Sequence, residues 1–292
     1  MKKRCLFIAV IVTILDVSAA VFMENAWILA AVIFVITGAG FWMIYHLVIR
    51  PVMAMKKELE ETREENAQLE SMRKDFVANV THELKTPLTS ISGFIETLQA
   101  GAAEDPEIRS RFLDIMAIET SRLKRLIQDI LVLSDIESDR ETPDERIDIK
   151  SAVEDIAELI QPIADERDVK LITNVGHGLM IRGSADRFRQ MIVNILENGI
   201  KYSNRGGRVW IDGYLKDGKV VIRIKDEGIG ISEENLERLF ERFYRVDKSR
   251  SRKVGGTGLG LSIVKHIAVL FKAKIKVESE LGSGTTFYIF FS

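Results

Sequence analysis

Nearly all of the sustained apolar sequence in this 292-residue chain lies within its first fifty residues. Leu6 to Phe22 is a run of 17 residues broken only by Thr13, Asp16 and Ser18, and Ala26 to Ile49 is a run of 24 with His46 near its end. About 20 residues at 1.5 Å each cross the hydrocarbon of a bilayer. The pattern therefore predicts two spans, joined outside by Met23, Glu24 and Asn25. Lys2, Lys3 and Arg4 precede the first span and Arg50, Lys56 and Lys57 follow the second. The positive-inside rule then puts both ends in the cytoplasm.

A cleavable signal peptide is the alternative for the first run, since Ser18-Ala19-Ala20 is a passable cleavage site. Cleavage would leave the second span in the same orientation, and no exported domain follows, so the uncleaved hairpin over residues 1–50 is the reading adopted. Asp16 stands in mid-span, where a carboxylate costs about 2.5 to 3.5 kcal/mol on insertion scales. It is either a sensing or pairing residue or a tolerated polar residue in a weak span.

The remainder is ordinary packed protein, with 46% apolar and 29% charged residues overall, which excludes global disorder and low-complexity scaffolds. One cysteine excludes a disulfide framework and any cysteine-built zinc or iron-sulfur site. A net charge of -2 offers no overall basic field, so no direct nucleic-acid partner is expected.

Between Pro51 and Val80 the apolar residues Val52, Met55, Leu59, Leu69, Met72, Phe76 and Val80 recur at three-four spacing, with Thr62 and Asn66 in the same stripe. This predicts a two-stranded coiled coil over 51–75, with Glu70 and Lys74 as an i,i+4 pair. A second stripe follows at Phe76, Val80, Leu84, Ile91, Ile95 and Leu98, ending at Gly101. After Asp105-Pro106 a third takes Ile108, Phe112, Ile115, Leu123, Leu126, Ile130 and Leu133. Two amphipathic helices cannot enclose their own stripes, whereas two copies of the hairpin over 76–138 close a four-helix bundle, so a homodimer is expected.

His82 stands two residues beyond the stripe position Val80, about 200° around the helix, and should point away from the bundle core. An exposed helical histidine is usually only a surface residue. Here Glu83 could accept or orient an imidazole proton and leave the other ring nitrogen as a nucleophile near neutral pH. Pro87 removes the amide that would bond the Glu83 carbonyl, so a bend is expected beside the histidine.

The stretch Asp75-Phe76-Val77-Ala78-Asn79-Val80-Thr81-His82-Glu83-Leu84-Lys85-Thr86-Pro87-Leu88-Thr89-Ser90-Ile91 resembles the phosphoacceptor box of bacterial sensor histidine kinases, nearest the phosphate-regulon-sensor type. The resemblance implies that His82 receives a phosphoryl group, Glu83 serves as base, and Thr86 positions water for dephosphorylating a partner.

Past a charged linker between about Asp139 and Ile149, broken at Pro143, helices alternate with strands. Ser151–Arg167 and Ser184–Tyr202 read as helices. Val169–Val175, Arg208–Leu215, Lys219–Lys225, Lys274–Glu280 and Thr285–Phe291 read as strands, with a hairpin at Lys216-Asp217-Gly218. The order predicts a two-layer α/β sandwich with a mixed sheet over 146–292.

Four segments in it carry chemistry. Asn194, Asn198 and Lys201 share one helical face, offering amide oxygens to a hard cation and a charge to phosphate. Asp226-Glu227-Gly228-Ile229-Gly230 ends a strand with a carboxylate and two residues lacking Cβ, suited to an adenine amine and a close ring approach. Gly255-Gly256-Thr257-Gly258-Leu259-Gly260 precedes a helical run, Leu261 to Phe271, as an anion nest, without the spacing of a P-loop or a Rossmann turn. Gly282-Ser283-Gly284-Thr285 is the fourth. Arg238 to Lys253 carries seven basic residues around Phe240, Phe243 and Tyr244, either a mobile lid or a solvated loop.

Taken in order, these segments resemble the GHKL ATP-binding domain, of Bergerat-type fold, shared by histidine kinases, type II topoisomerases, Hsp90 and mismatch-repair ATPases. The likeness implies an ATP site with Mg2+ formed by Asn194, Asn198, Lys201, Tyr202, Asp226, Gly228, Gly230, Arg245, Gly256, Thr257, Gly258, Leu259, Gly260 and Thr285, with Asn198 on the metal. It also implies a response regulator as partner and a bacterial plasma membrane as location. Gly199 replaces the family's alanine, and Phe271-Lys272-Ala273-Lys274 replaces its histidine-glycine turn.

A chaperone-like or topoisomerase-like ATPase would share the glycine boxes but would need neither the His82 box nor the membrane runs. A scaffold or pure phosphatase with a degenerate kinase domain would not need every ATP residue. The three-residue outer loop leaves no room for a ligand-binding domain, so the stimulus is expected within the bilayer or from another membrane protein.

Overall fold

The computed structural model describes residues 2–137, 144–246 and 256–291, and the chain divides into two compact units, Met1–Asp75 and Phe76–Ser292. The expected linker around Pro143, the lid's basic residues beyond Val246, and Gly255 lie outside the described residues.

In the first unit Lys2–Ile44 form one helix, α1, followed by a π-helical turn at Tyr45–Ile49 and the start of α2, Arg50–Gln99. The expected turn at Met23-Glu24-Asn25 is not formed. No glycine or proline stands between Lys2 and Thr37, so the backbone there carries nothing to end a helix. Among the described residues there is one helix long and apolar enough to cross a membrane. In the π turn the ring of His46 lies 4.6 Å from that of Trp42 and 5.3 Å from that of Tyr45. Farther on, Val52, Met55, Leu59 and Met72 are exposed, and the exposed pairs Lys56–Glu60, Lys57–Glu61 and Glu70–Lys74 are spaced i,i+4 at 3.6 to 4.0 Å.

The second unit begins with the rest of α2. A left-handed Gly101 and a 3-10 turn at Ala102–Glu104 lead into α3, Pro106–Glu137, whose first turn is capped by Asp105 Oδ1 accepting from the Glu107 and Ile108 amides. Phe94 and Phe112 join the two helices, ring centroids 4.8 Å apart. Leu126 and Leu133 of the α3 stripe, with Ile136 one turn beyond it, do not only face the hairpin: they enter the core of the domain that follows.

That domain runs β1 (Glu145–Asp148), α4 (Ile149–Glu166), β2 (Lys170–Val175), β3 (Met180–Gly183), α5 (Ala185–Tyr202), β4 (Arg208–Lys216), β5 (Lys219–Asp226), the short α6 (Glu233–Leu236), α7 (Gly260–Leu270), β6 (Lys274–Glu280) and β7 (Gly284–Phe291). A five-stranded sheet is ordered β2-β4-β5-β7-β6, with β2 parallel to β4 and the other pairs antiparallel. β1 and β3 form a separate antiparallel pair; neither strand is among those read from the sequence.

The helix boundaries follow from their caps. Asp148 Oδ1 accepts from the amides of Lys150 and Ser151, so the chain leaves β1 directly into α4, two residues before the expected start. Ser184 caps α5 through the Arg187 amide at 3.3 Å. Each cap contributes about 1 kcal/mol. The packed layer is apolar throughout: Ile156 of α4, Phe188 and Ile192 of α5, Ile263 of α7, and Ile211, Ile222 and Ile289 of the sheet are all buried.

Candidate functional site

Asp226, the last residue of β5, is the pivot of the site. Its Oδ1 accepts the amide of Gly228 at 2.8 Å and that of Thr285 at 3.1 Å. Burial pushes this carboxyl above the usual carboxylate range, against the pull of those two N–H groups. The surrounding segments are stitched together through their backbones. Ile229 donates to the Tyr202 carbonyl at 3.2 Å, and Gly282 to the Ile229 carbonyl at 2.8 Å. A Cβ at Gly228 would stand 2.6 Å from the Tyr202 oxygen, and one at Gly230, where φ is +67°, only 1.9 Å from the Glu280 oxygen. Both positions therefore demand glycine.

The asparagine face of α5 meets the second glycine box. Asn194 Nδ2 is buried without a hydrogen-bond partner among the described residues, and its Oδ1 would lie 3.5 Å from a Cβ placed on Gly260. An orphaned amide donor against a helix N-terminus is a vacancy of hydrogen bonding that a polyphosphate would satisfy. Asn198 is half-buried one turn on, with its amide oxygen type suited to a hard cation. The residue set therefore fits a magnesium–nucleotide complex.

Lys201 is half-buried, and burial lowers its pKa to about 8, with Arg245, Arg125 and Arg167 lowering it further and Glu197 opposing. Glu197 itself is raised, by burial first. A concentration of cations that depresses a lysine is a site short of anions.

The rest of the box is set by the lid. Phe243 donates its amide to the Gly258 carbonyl at 2.9 Å, and at Gly258, φ +77°, a Cβ would meet the Phe243 backbone at 2.9 Å. Arg245 donates to the Gly256 carbonyl, and the Thr257 hydroxyl also receives the Leu259 amide at 3.3 Å. Leu259 is fully buried just ahead of α7.

On α2, His82 is exposed and Pro87 is buried while the helix continues to Gln99. The Thr86 hydroxyl donates to the His82 carbonyl at 3.1 Å. Glu83 does not bond the imidazole. Its Oε2 instead receives Arg122 at 3.0 Å and Arg245 at 3.4 Å. Adjacent helical residues diverge by about 100°, so the two side chains do not face each other. Phe76 packs on the lid, with the Phe243 ring at 5.9 Å and the Arg242 guanidinium at 5.1 Å.

Arg122 and Asp129 of α3, which bond Glu83 and the Thr257 hydroxyl, are neighbours of the site that no sequence motif marked. Each lies far along the chain from its partner, and its only local sign is a charge beside the α3 stripe. The departures from the family pattern have local reasons. Phe271 packs with Phe188 and Phe291 at 6.4 and 5.8 Å, covering Gly183, where a Cβ would come within 2.3 Å of its ring. Lys272 sits at φ +50°, the position a glycine would hold.

Comparison with known proteins gives two family models. That described as His Kinase A (phospho-acceptor) domain matches residues 72–139, and that described as Histidine kinase-, DNA gyrase B-, and HSP90-like ATPase matches 183–292. The chain is 39% identical over 228 residues to the sensor-like histidine kinase SenX3 of Mycolicibacterium smegmatis, covering 78% of this chain and 59% of that protein. It is 40% identical over 226 residues to the sensor histidine kinase WalK of Bacillus subtilis, covering 76% and 37%. With the phosphate regulon sensor protein PhoR of Pseudomonas aeruginosa it shares 35% over 226 residues, covering 77% and 51%. The chain thus spans between about a third and three fifths of the length of these relatives. Among solved structures, the Acinetobacter baumannii histidine kinase AdeS has a TM-score of 0.58 at 25% identity, over 72% of this chain and 97% of that one. The histidine kinase ThkA, in complex with the response regulator protein TrrA, shares the fold at a TM-score of 0.63 and 24% identity, over 80% and 65%.

Proposed function

We propose, for a chain that belongs to the bacterial two-component sensor histidine kinases, that it transfers the γ-phosphoryl group of ATP to His82 and then to an aspartate of a response regulator. The observation that carries this reading is the Asp226 site, where four segments converge on one carboxyl and an unpartnered Asn194 amide, in the same compact unit as an exposed His82.

Asp226 would accept the adenine amine, and Gly228 and Gly230 let the ring approach the backbone. Gly256, Thr257, Gly258, Leu259 and Gly260 present the α7 N-terminus to the phosphates, with Lys201, Arg245 and Asn194 as donors and Tyr202 and Thr285 closing the walls. Asn198 would hold Mg2+, which supplies charge neutralisation. A ring nitrogen of His82 uses its lone pair to form the N–P bond as the bond to the β-phosphate oxygen breaks and ADP leaves with that electron pair. Release of Glu83 from Arg122 and Arg245 would let it serve as the base that takes the proton from the other ring nitrogen. A regulator carboxylate then attacks the phosphorus, forming an O–P bond as the N–P bond breaks, and a proton returns to the ring so that neutral imidazole leaves. Alignment and electrostatics carry such a transfer. The fold neighbour ThkA is solved in complex with the response regulator protein TrrA, which is consistent with that partner class. Thr86, by orienting water, would give the reverse activity of dephosphorylating the regulator.

Exposed Leu88 and Ile95 on α2, with Leu113, Ile127 and Leu131 on α3, form apolar faces that a second copy would cover in a four-helix bundle. In the membrane, a straight α1 would be about 65 Å long, roughly twice the hydrocarbon thickness. Folding at Met23-Glu24-Asn25 into two spans buries both apolar halves and keeps both basic flanks cytoplasmic. A reporter fused after Asn25 that reads cytoplasmic would overturn this topology.

Incubation with γ-labelled ATP tests the kinase reading. Label lost in acid and absent from His82→Ala is expected; acid-stable label, or label retained in that variant, overturns it.

A further inference from the structure

Two carboxylates of the phosphoacceptor hairpin reach the donors that the proposed function assigns to phosphate. The Thr257 hydroxyl, in the second glycine box, donates to Asp129 Oδ2 of α3 at 2.6 Å. Arg245, which also donates to the Gly256 carbonyl, lies 3.4 Å from Glu83 Oε2 of α2. Glu83 is anchored from the far side by Arg122, whose guanidinium is buried and bonds the same oxygen at 3.0 Å. The N-terminal end of the glycine box is thus held through two adjacent residues, Thr257 by Asp129 and Gly256, through Arg245, by Glu83.

We infer that Asp129 competes with the nucleotide for Thr257, so that ATP binding and the docking of α3 on the glycine box exclude one another. The inference rests on the functional reading only for the identity of the ligand. A hydroxyl has one proton, and Thr257 cannot give it to a carboxylate and a phosphate together. The competing groups are both anionic, so a polyphosphate entering the box meets repulsion from Asp129 as well as a blocked donor. Burial holds the Asp129 carboxyl above the usual range, opposed by the Thr257 bond and by Arg125. A desolvated carboxylate with one short bond is released to water at little net loss. Asp129 is a positioning residue in this scheme: docked, it fixes the box against α3; displaced, it releases the box from this contact with α3.

The test uses the full chain in lipid nanodiscs. The dissociation constant of Mg2+-AMPPNP is measured for wild type, Asp129→Asn and Asp129→Ala. Both variants should bind roughly three- to tenfold tighter, and hydrogen exchange over residues 125–133 should rise when wild type binds the analogue. Equal or weaker binding by both variants, or exchange unchanged by the analogue, overturns the inference. Binding that follows the expected order without acid-labile label on His82 would sink the kinase reading and leave the competition standing. No binding by any of the three proteins would overturn both.

Discussion

The backbone carbonyl of Asp226 occupies the space in which Gly284 would carry a side chain: a Cβ there would lie 2.0 Å from that oxygen, at a φ of +96°. β5 and the start of β7 approach this closely because the Thr285 amide must reach the Asp226 carboxyl. Gly284→Ala is therefore expected to destabilise the domain by about 2 to 4 kcal/mol, from strain and displaced backbone, and to weaken nucleotide binding at least tenfold. Chemical denaturation and analogue binding measured on the same preparation check this; unchanged midpoints would refute it.

Lys201 makes nucleotide affinity depend on pH. Its pKa is lowered to about 8 by burial and by its cationic neighbours, so without an anion it loses its proton as pH rises through that value. A bound phosphate favours the charged form and raises the pKa, so binding takes up a proton around pH 8 and affinity falls above it. Calorimetry in buffers of different ionisation enthalpy should show this uptake, and Lys201→Arg, which keeps its charge, should abolish it. Identical buffer dependence in the two proteins would be fatal to the assignment.

Gly199 is buried in the last turn of α5, and a Cβ there would make ordinary contacts, 3.5 Å from the Asp226 Cβ and 3.5 Å from Val209. Gly199→Ala should stabilise the protein by up to about 1 kcal/mol, seen as a higher unfolding midpoint, with analogue affinity unchanged. A lower midpoint would mean that the pocket wall behind Asp226 cannot accept a methyl group.

Lys272 holds a left-handed conformation just beyond α7, where Ala273 donates to the Ala268 carbonyl at 2.8 Å. Lys272→Gly should relieve this strain and add about 0.5 to 1 kcal/mol. Thermal unfolding of the two proteins decides the matter, and any fall in the midpoint would show that the lysine side chain contributes more than its backbone costs.

Much of the ATP-binding domain is legible in the chain because each element carries its own period. α5 shows buried residues at Phe188, Met191, Ile192, Ile195 and Leu196, and the hairpin of β4 and β5 turns where Asp217 and Gly218 supply positive φ. β1 and β3 escape such reading. Each has four residues and only one buried, at Ile147 and Ile181, so neither makes a periodic signal without the other across the ladder. The turn expected at Met23-Glu24-Asn25 has no breaker in the backbone; its case rests on the bilayer's thickness and on the basic residues that flank both apolar runs.

Composition and spacing by themselves determined that this chain has an apolar leader of two bilayer lengths, a histidine on the outer face of an amphipathic helix, and three glycine-bearing turns, because these depend on residues a few positions apart. That Glu83 turns from its neighbouring histidine to Arg122 and Arg245, and that Asp129 reaches Thr257, was decided only by tertiary packing. Those pairs are brought together when Leu126 and Leu133 bury themselves against the ATP-binding domain. Burial is non-directional and selects area, so no local pattern of charge announces which polar groups it will leave face to face.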